Sequence, residues 1–277
     1  MKCAWDALLS VLPARLRQQV DNLGRDTMQE LRLRVGQPVE LILSGQSRML
    51  GIQALEEDIT FIVNAASHYS PWAAATSAKG YITAVGGHRI GVAGECVVQG
   101  GQVTGIRRVT SLCIRVARDF PGIADKAPKS GSLLILGPPG AGKTTLLREL
   151  IRIRSEAGQA VAVVDERGEL FPVGGVFSPG TRTDVLTGCS KVTGVEMALR
   201  TLSPACIAVD EITAQEDCQA LLSVGWCGVE LLATAHARDA KDLLRRKIYQ
   251  PLADSGLFET VLILQPDKSW HMERMRV

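Results

Sequence analysis

Residues 137–144 read Gly-Pro-Pro-Gly-Ala-Gly-Lys-Thr, and this stretch indicates the fold of the second half of the chain. It fits the pattern Gly-x-x-x-x-Gly-Lys-Ser/Thr of a phosphate-binding loop (P-loop) without a mismatch. Residues 132–136, Ser-Leu-Leu-Ile-Leu, predict a strand before the loop, and residues 144–155 predict a helix after it. Glycines let successive backbone N–H groups face an anion, and the helix N-terminus adds partial positive charge. The stretch therefore predicts a site for nucleotide phosphates.

The P-loop pattern predicts which residues bind the nucleotide and the metal ion. We expect Lys143 to reach the β- and γ-phosphates and Thr144 to bind Mg²⁺, so the predicted cofactors are ATP and Mg²⁺. The predicted nucleotide-binding residues are Gly137, Pro138, Pro139, Gly140, Ala141, Gly142, Lys143, Thr144 and Thr145.

Two apolar strands downstream end in paired acids. Residues 206–211 read Cys-Ile-Ala-Val-Asp-Glu, the Walker B pattern, in which we expect Asp210 to hold Mg²⁺ and Glu211 to polarise the attacking water. Residues 161–166 end in the same way with Asp165 and Glu166 and lie between the P-loop and Walker B. An extra strand at that place is typical of RecA-like and AAA-type ATPases, so hydrolysis is expected rather than phosphoryl transfer to a small acceptor.

A further apolar strand ends in residues suited to phosphate. Residues 229–236 read Val-Glu-Leu-Leu-Ala-Thr-Ala-His. Ligand chemistry gathers at the carboxyl ends of parallel strands, so Thr234 and His236 are expected to face the γ-phosphate. The alternative for His236 is structural packing under the sheet.

The pattern of apolar residues predicts two domains. Short apolar segments at 133–136, 160–164, 205–209, 229–233 and 261–264 alternate with helical stretches, which is typical of a parallel sheet covered on both faces. Before residue 120, helical patterns at 4–20 and 56–69 alternate with period-two strands at 30–35, 39–43, 81–85, 88–98, 103–107 and 111–116. We therefore predict an α/β RecA-like P-loop ATPase domain with a mostly parallel sheet, 132–277, preceded by a smaller α+β domain, 1–120, and a linker, 121–131.

Composition argues against several classes of protein. The 277 residues include 46% hydrophobic and 4% aromatic residues, and 31 basic against 29 acidic side chains give a net charge of +2. This balance does not indicate a nucleic-acid partner. No apolar run approaches the ~18–20 residues that span a bilayer, and the first residues are not expected to form a signal peptide. The seven cysteines include no Cys-x-x-Cys pair and are expected to be reduced thiols.

The order of the motifs resembles the secretion superfamily of ATPases. Those enzymes carry a Walker A motif, an acidic "Asp box", a Walker B motif and a "His box", which match 137–144, 164–170, 210–211 and 234–236 here. Within that superfamily the chain resembles the stage III sporulation protein AA family. The stretches that carry this resemblance are Gly-Thr-Arg-Thr-Asp-Val-Leu at 180–186, Arg-Thr-Leu-Ser-Pro at 200–204 and Gly-His-Arg-Ile-Gly at 87–91.

The resemblance implies a ring, usually a homo-hexamer, with ATP between subunits and arginines of one subunit reaching the phosphates of the next. The candidate arginines are Arg89, Arg107, Arg108, Arg115 and Arg182. It also implies a catalytic role for the Asp-box acids Glu166 and Glu169. Many secretion ATPases have Gly-Glu where this chain has Asp210-Glu211, so Glu169 and Glu211 both remain candidates for the main base.

The resemblance further implies work at a membrane-associated sporulation channel between mother cell and forespore. The expected partners are the membrane components of that secretion-like apparatus, and the expected location is cytoplasmic, peripheral at the inner face of the membrane. Two other functions remain open from the sequence. One is a RecA-like nucleic-acid motor of the helicase type, and the other is a nucleotide-dependent scaffold with little turnover.

Overall fold

A computed structural model describes residues 1–67, 80–172, 175 and 177–275. The chain divides into two compact units, which are described separately. The first consists of Met1–Asp119 with Pro172–Val176, and the second of Phe120–Phe171 with Phe177–Val277. Within the described ranges, every helix is too short or too polar to span a bilayer.

The first unit contains a six-stranded antiparallel sheet with the order β3-β2-β1-β6-β5-β4. Its strands are β1 (Met28–Arg34), β2 (Pro38–Leu43), β3 (Gln46–Gln53), β4 (Tyr81–Thr83), β5 (Arg89–Gln99) and β6 (Gln102–Arg115). Its helices are α1 (Trp5–Ser10), α2 (Ala14–Gly24) and α3 (Glu56–Ala66).

Alternation along the strands builds the core of this unit. Leu31 and Leu33 of β1 are fully buried, whereas Arg32 between them lies on the opposite face and pairs with Glu30 at 2.6 Å. Since successive side chains of a strand point to opposite faces, one face of the sheet is apolar and the other is charged. The apolar face packs with buried helix residues that include Leu8, Leu16, Val20, Ile59 and Ile62.

The second unit contains a seven-stranded sheet with the order β13-β12-β7-β11-β10-β8-β9. The pair β12–β13 is antiparallel and the other pairs are parallel. The strands are β7 (Leu133–Leu136), β8 (Val161–Asp165), β9 (Thr183–Thr187), β10 (Cys206–Val209), β11 (Glu230–Ala235), β12 (Thr260–Leu264) and β13 (Trp270–Arg274). The helices are α4 (Lys143–Glu156), α5 (Lys191–Thr201), α6 (Gln215–Trp226), α7 (Ala240–Arg245) and α8 (Gln250–Asp254), with a 3₁₀ turn at Lys247–Tyr249.

Every residue of β7, β8 and β10 is buried. Strands buried on both faces belong to a parallel sheet covered by helices on each side. The predicted fold class, an α/β domain with a mostly parallel sheet preceded by an α+β domain, is confirmed.

Some predicted elements have different bounds. The helix predicted over 4–20 is two helices, because Pro13 lacks an N–H group and begins the second of them as its N-cap. The helix predicted over 56–69 ends at Ala66, and residues 68–69 lie outside the described residues. The strands predicted at 103–107 and 111–116 form one continuous strand, β6.

The sequence prediction missed three strands, β3, β9 and β13. Each of them lies at an edge of its sheet. An edge strand has one neighbour and stays partly exposed, so its sequence lacks the apolar signal of a central strand. The burial of β3 shows this, since only Leu50 of its eight residues is buried.

The segment predicted as the linker, 121–131, groups with the second unit. At its start, Gly122 N donates to Glu149 Oε1 at 2.6 Å. At its end, the Gly131 backbone binds the ion pair that Arg154 and Glu230 form at 2.7 Å. The Arg154 side chain is fully buried, so this pair holds a charge in the interior.

Without Glu230, the buried charge of Arg154 has no carboxylate partner. We expect Glu230→Ala to lower the free energy of unfolding by about 3 kcal/mol. Arg154→Met removes the charge itself and keeps similar volume, so its loss should be clearly smaller. Urea denaturation of both variants measures this difference. Equal losses would show that the unpaired charge is not the cause.

Candidate nucleotide-binding site

The P-loop connects β7 to α4. The backbone at Gly140 and Gly142 adopts φ values of 73° and 105°, in the left-handed region that other residues enter at a cost. Among the described atoms, none would lie within 4 Å of a Cβ added at Gly140. The two glycines thus allow the loop to curl ahead of the helix, with space outside it at Gly140.

Lys143 is the first residue of α4 and is 7% exposed. Its ammonium group donates to the carbonyl oxygens of Gly137 at 2.9 Å and Pro138 at 3.0 Å. Its Nζ also lies 3.0 Å from Nδ1 of His236. Burial lowers the pKa of Lys143, and the nearby charges of Asp210 and Glu211 oppose this shift.

Asp210 connects three elements of the site. The residue follows β10, and its Oδ2 accepts a hydrogen bond of 2.8 Å from the hydroxyl of Thr144. Its Oδ1 accepts another of 2.6 Å from the hydroxyl of Thr234, which is fully buried on β11. The parallel pairing of Val209 with Ala233 brings the ends of the two strands together.

Glu211 is held in an uncommon backbone conformation. Its φ is 54°, in the left-handed region, and its N–H donates to the hydroxyl of Thr234 at 2.8 Å. Both oxygens of its carboxylate have partners. Oε1 lies 2.9 Å from Nε2 of His236, and Oε2 accepts from Nη1 of Arg167 at 2.8 Å.

These contacts assign the tautomer of His236. The ammonium of Lys143 can only donate, so Nδ1 of the ring accepts. The ring proton then belongs to Nε2, which donates to Glu211 Oε1. Lys143, His236, Glu211 and Arg167 therefore form one continuous chain of hydrogen bonds.

Asp165 of the Asp box binds backbone. Its carboxylate is 2% exposed and accepts from the N–H groups of Glu169, Leu170 and Phe171 at 2.8, 2.9 and 3.0 Å. Burial raises the pKa of Asp165, although the backbone hydrogen bonds oppose the shift. The side chain fixes the shape of the loop that carries the other Asp-box acids.

The remaining Asp-box acids border the same cleft as Walker B. Glu166 accepts a hydrogen bond of 2.5 Å from Lys191, which is almost completely buried at the start of α5. The carbonyl of Glu169 accepts from Arg148 at 3.1 Å. The cleft is lined by Asp165, Glu166, Arg167, Glu169, Lys191, Asp210 and Glu211.

The candidate arginines of the first unit lie on β5 and β6. Arg108 forms a long ion pair of 3.9 Å with Glu56, and Arg115 one of 3.7 Å with Glu30. Arg107 pairs with Glu95, and the guanidinium of Arg89 lies 3.9 Å from the ring centroid of Tyr81. In the second unit, the exposed Arg182 precedes β9, and its N–H donates to Ser155 Oγ at 2.8 Å.

The sequence prediction missed two cations of the site, Arg167 and Lys191. Arg167 lies between the acids of the Asp box. Its position as a basic residue within an acidic loop could have identified it from the sequence. Lys191 comes from a distant part of the chain and carried no motif. It was recognisable only after folding placed α5 beside the loop.

The site and the fold define a class of protein. In the parallel sheet of the second unit, the P-loop follows β7, the Walker B acids follow β10 and the acidic loop follows β8. This is the arrangement of a RecA-like P-loop nucleotide-binding domain. The chain also matches the family model described as Sporulation stage III, protein AA, over residues 4–272, and it belongs to that family. The predicted family resemblance is confirmed.

One curated protein is similar to the chain in sequence, and two solved structures are similar to it in fold. The chain is 35% identical over 279 residues to Stage III sporulation protein AA of Bacillus subtilis (strain 168), covering 94% of this chain and 91% of the relative. The ATPase DotB of Legionella pneumophila has a similar fold, with a TM-score of 0.57, 17% identity and coverage of 95% of this chain and 80% of DotB. The pilus retraction motor PilT, solved with ADP, gives a TM-score of 0.59 at 17% identity, covering 90% of this chain and 76% of PilT.

Proposed function

We propose that this chain binds ATP with Mg²⁺ at residues 137–145 and hydrolyses it to ADP and phosphate. One observation carries the proposal. Hydrogen bonds bring the lysine and threonine of the P-loop together with both Walker B acids and His236. A P-loop alone supports phosphate binding, whereas an acid held beside it also supports activation of water.

The residues present fit both ATP and Mg²⁺. The curled backbone at Gly140 and Gly142 and the start of α4 suit an anion. Thr144 and Asp210 supply two oxygen ligands in mutual contact, and Mg²⁺ is usually held by one or two protein oxygens with phosphate and water. When bound there, Mg²⁺ neutralises charge on the phosphates.

We assign the general base to Glu211. Its carboxylate adjoins Asp210 in sequence and is oriented by His236 and Arg167, so it can accept a proton from an attacking water. The rival acids, Glu166 and Glu169, have different contacts. Glu166 is paired with Lys191, and Glu169 lies in the loop that Asp165 fixes, where its backbone N–H donates to Asp165. These two acids therefore have secondary catalytic roles in the proposal.

His236 is assigned as the sensor of the terminal phosphate. The ammonium of Lys143 donates one of its three hydrogen bonds to Nδ1 of this ring and the other two to backbone carbonyls. A lysine that turns toward phosphate gives up this contact. The ring can then shift its hydrogen bond with Glu211, which couples phosphate occupancy to the position of the base.

The proposed assembly is a homo-hexamer in which a neighbouring subunit completes the site. Arg108 and Arg115 are the preferred candidates to reach the neighbour's phosphates. Their side chains are 68% and 66% exposed, and their ion pairs are long, so little binding energy holds them in place. Arg89, Arg107 and Arg182 are further candidates, although Arg89 stacks on Tyr81 and Arg107 forms a close ion pair with Glu95.

We propose that hydrolysis drives a secretion-like membrane apparatus in sporulation, the channel between mother cell and forespore. Membership of the sporulation family supports the setting, and the fold shared with DotB and PilT supports the type of motor. The partners would be membrane components of that apparatus. The chain would act in the cytoplasm at the inner face of the membrane. The net charge of +2 gives no support for a nucleic-acid partner.

Removal of the P-loop lysine tests the nucleotide site. Lys143→Ala should lower ATP turnover by about 100-fold or more, because the charge that stabilises the developing phosphate charge is lost. Steady-state phosphate release measures this effect. The exposed Lys129→Ala is the matched control and should keep wild-type turnover. Wild-type turnover by folded Lys143→Ala protein would refute the site.

Two isosteric variants compare the candidate bases. Glu211→Gln should still bind ATP but turn it over about 100-fold more slowly, whereas Glu169→Gln should lose less than about tenfold. Nucleotide binding and single-turnover hydrolysis on the same samples separate the two effects. A larger loss for Glu169→Gln would move the base to the Asp box.

A site completed between subunits makes activity depend on assembly. Turnover per molecule should fall when the protein is diluted through dissociation, and added Lys143→Ala subunits should inhibit wild-type protein in mixtures. Phosphate release across a dilution series and a mixing series, with native mass at each point, provides the measurement. Constant turnover in both series would mean that one chain hydrolyses ATP alone.

A further inference from the structure

The turn between β12 and β13 holds a lysine in a conformation that normally suits glycine. Gln265 N donates to Ser269 O at 2.9 Å, and Lys268 N donates to Gln265 O at 3.0 Å. Lys268 has a φ of 71°, a backbone position that hairpins of this kind usually fill with Gly or Asn. Asp267 accepts from Ser269 N at 2.9 Å and Ser269 Oγ at 2.6 Å, which fixes the turn.

The Lys268 side chain reaches the P-loop. Its ammonium group donates to the carbonyl oxygen of Gly140. The turn lies close to the loop because β12 pairs with β7, and Leu264 at the end of β12 packs against the loop. A Cβ added at Gly137 would lie 3.2 Å from Cβ of Leu264. An ammonium group hydrogen-bonded to this loop is within one side-chain rearrangement of an anion that the loop holds.

The sheet places Lys268 on one flank of the P-loop strand and the Walker B acids on the other. β7 has β12 as one neighbour and β11 as the other. Asp210, Glu211 and His236 follow β10 and β11, so the groups assigned to the γ-phosphate lie on the β11 side. A charge on the β12 side is therefore positioned for the part of the nucleotide that ATP and ADP share.

We propose that Lys268 is a second phosphate-binding lysine of the nucleotide site and that it strengthens the binding of ATP and ADP equally. The inference rests on the proposed function, because it adds a residue to the same site. It explains why the turn carries lysine at a position where glycine would be less strained.

Lys268→Gly tests separately the backbone strain at this position and the charge of the side chain. Glycine relieves the left-handed backbone, so the melting temperature should be unchanged or higher. Loss of the charge should weaken the binding of both ADP and the nonhydrolysable analogue AMP-PNP by about tenfold, each measured by calorimetry with Mg²⁺. The loss should shrink at high salt, since salt screens an exposed charge. Lys268→Arg should keep most of the affinity.

Ser44→Gly is the matched control. Ser44 also has a positive φ, 48°, in a turn of the first unit, so glycine relieves similar strain there. This variant should leave both affinities unchanged. Unchanged affinities in Lys268→Gly, or a loss confined to AMP-PNP, would overturn the role of Lys268. If only this inference fails, Lys143→Ala should still lose turnover. If Lys143→Ala keeps wild-type turnover, the proposed function fails and this inference fails with it.

Discussion

The arrangement of the site depends on the buried hydroxyl of Thr234. It donates to Asp210 Oδ1 at 2.6 Å and accepts the N–H of Glu211 at 2.8 Å, so one side chain of β11 positions both acids after β10. A buried hydroxyl is costly without partners, and here it has both a donor and an acceptor. The backbone of Glu211 is thereby held at a φ that it would rarely adopt alone.

Charge balance then links the P-loop to the acids. The buried ammonium of Lys143 is stabilised by the charges of Asp210 and Glu211 and shares His236 with the latter. Because His236 accepts on one nitrogen and donates on the other, a single ring connects Lys143 to Glu211 by hydrogen bonds. Arg167 holds the other oxygen of the same carboxylate, so the Glu211 side chain is constrained from two sides.

The Asp box combines two kinds of acid. Asp165 is buried and binds three backbone N–H groups, which shapes the loop. Glu166 and Glu169 border the cleft, where Lys191 balances the charge of Glu166. Sequence spacing does not distinguish these roles, because neighbouring residues of a tight loop can point toward the core or toward solvent.

The sequence by itself determined the P-loop, both acidic strands, their order and the α/β class, since buried parallel strands are continuous apolar runs and the phosphate loop is a local motif. The central strands were therefore predicted, whereas the edge strands β3, β9 and β13 were not, because partial exposure weakens their apolar pattern. Only the tertiary structure decided that Arg167 faces Glu211, that Lys191 pairs with Glu166 and that Lys268 contacts Gly140. The last two contacts join residues 25 and 128 positions apart, and no local pattern encodes a contact that the packing of separate strands and helices creates.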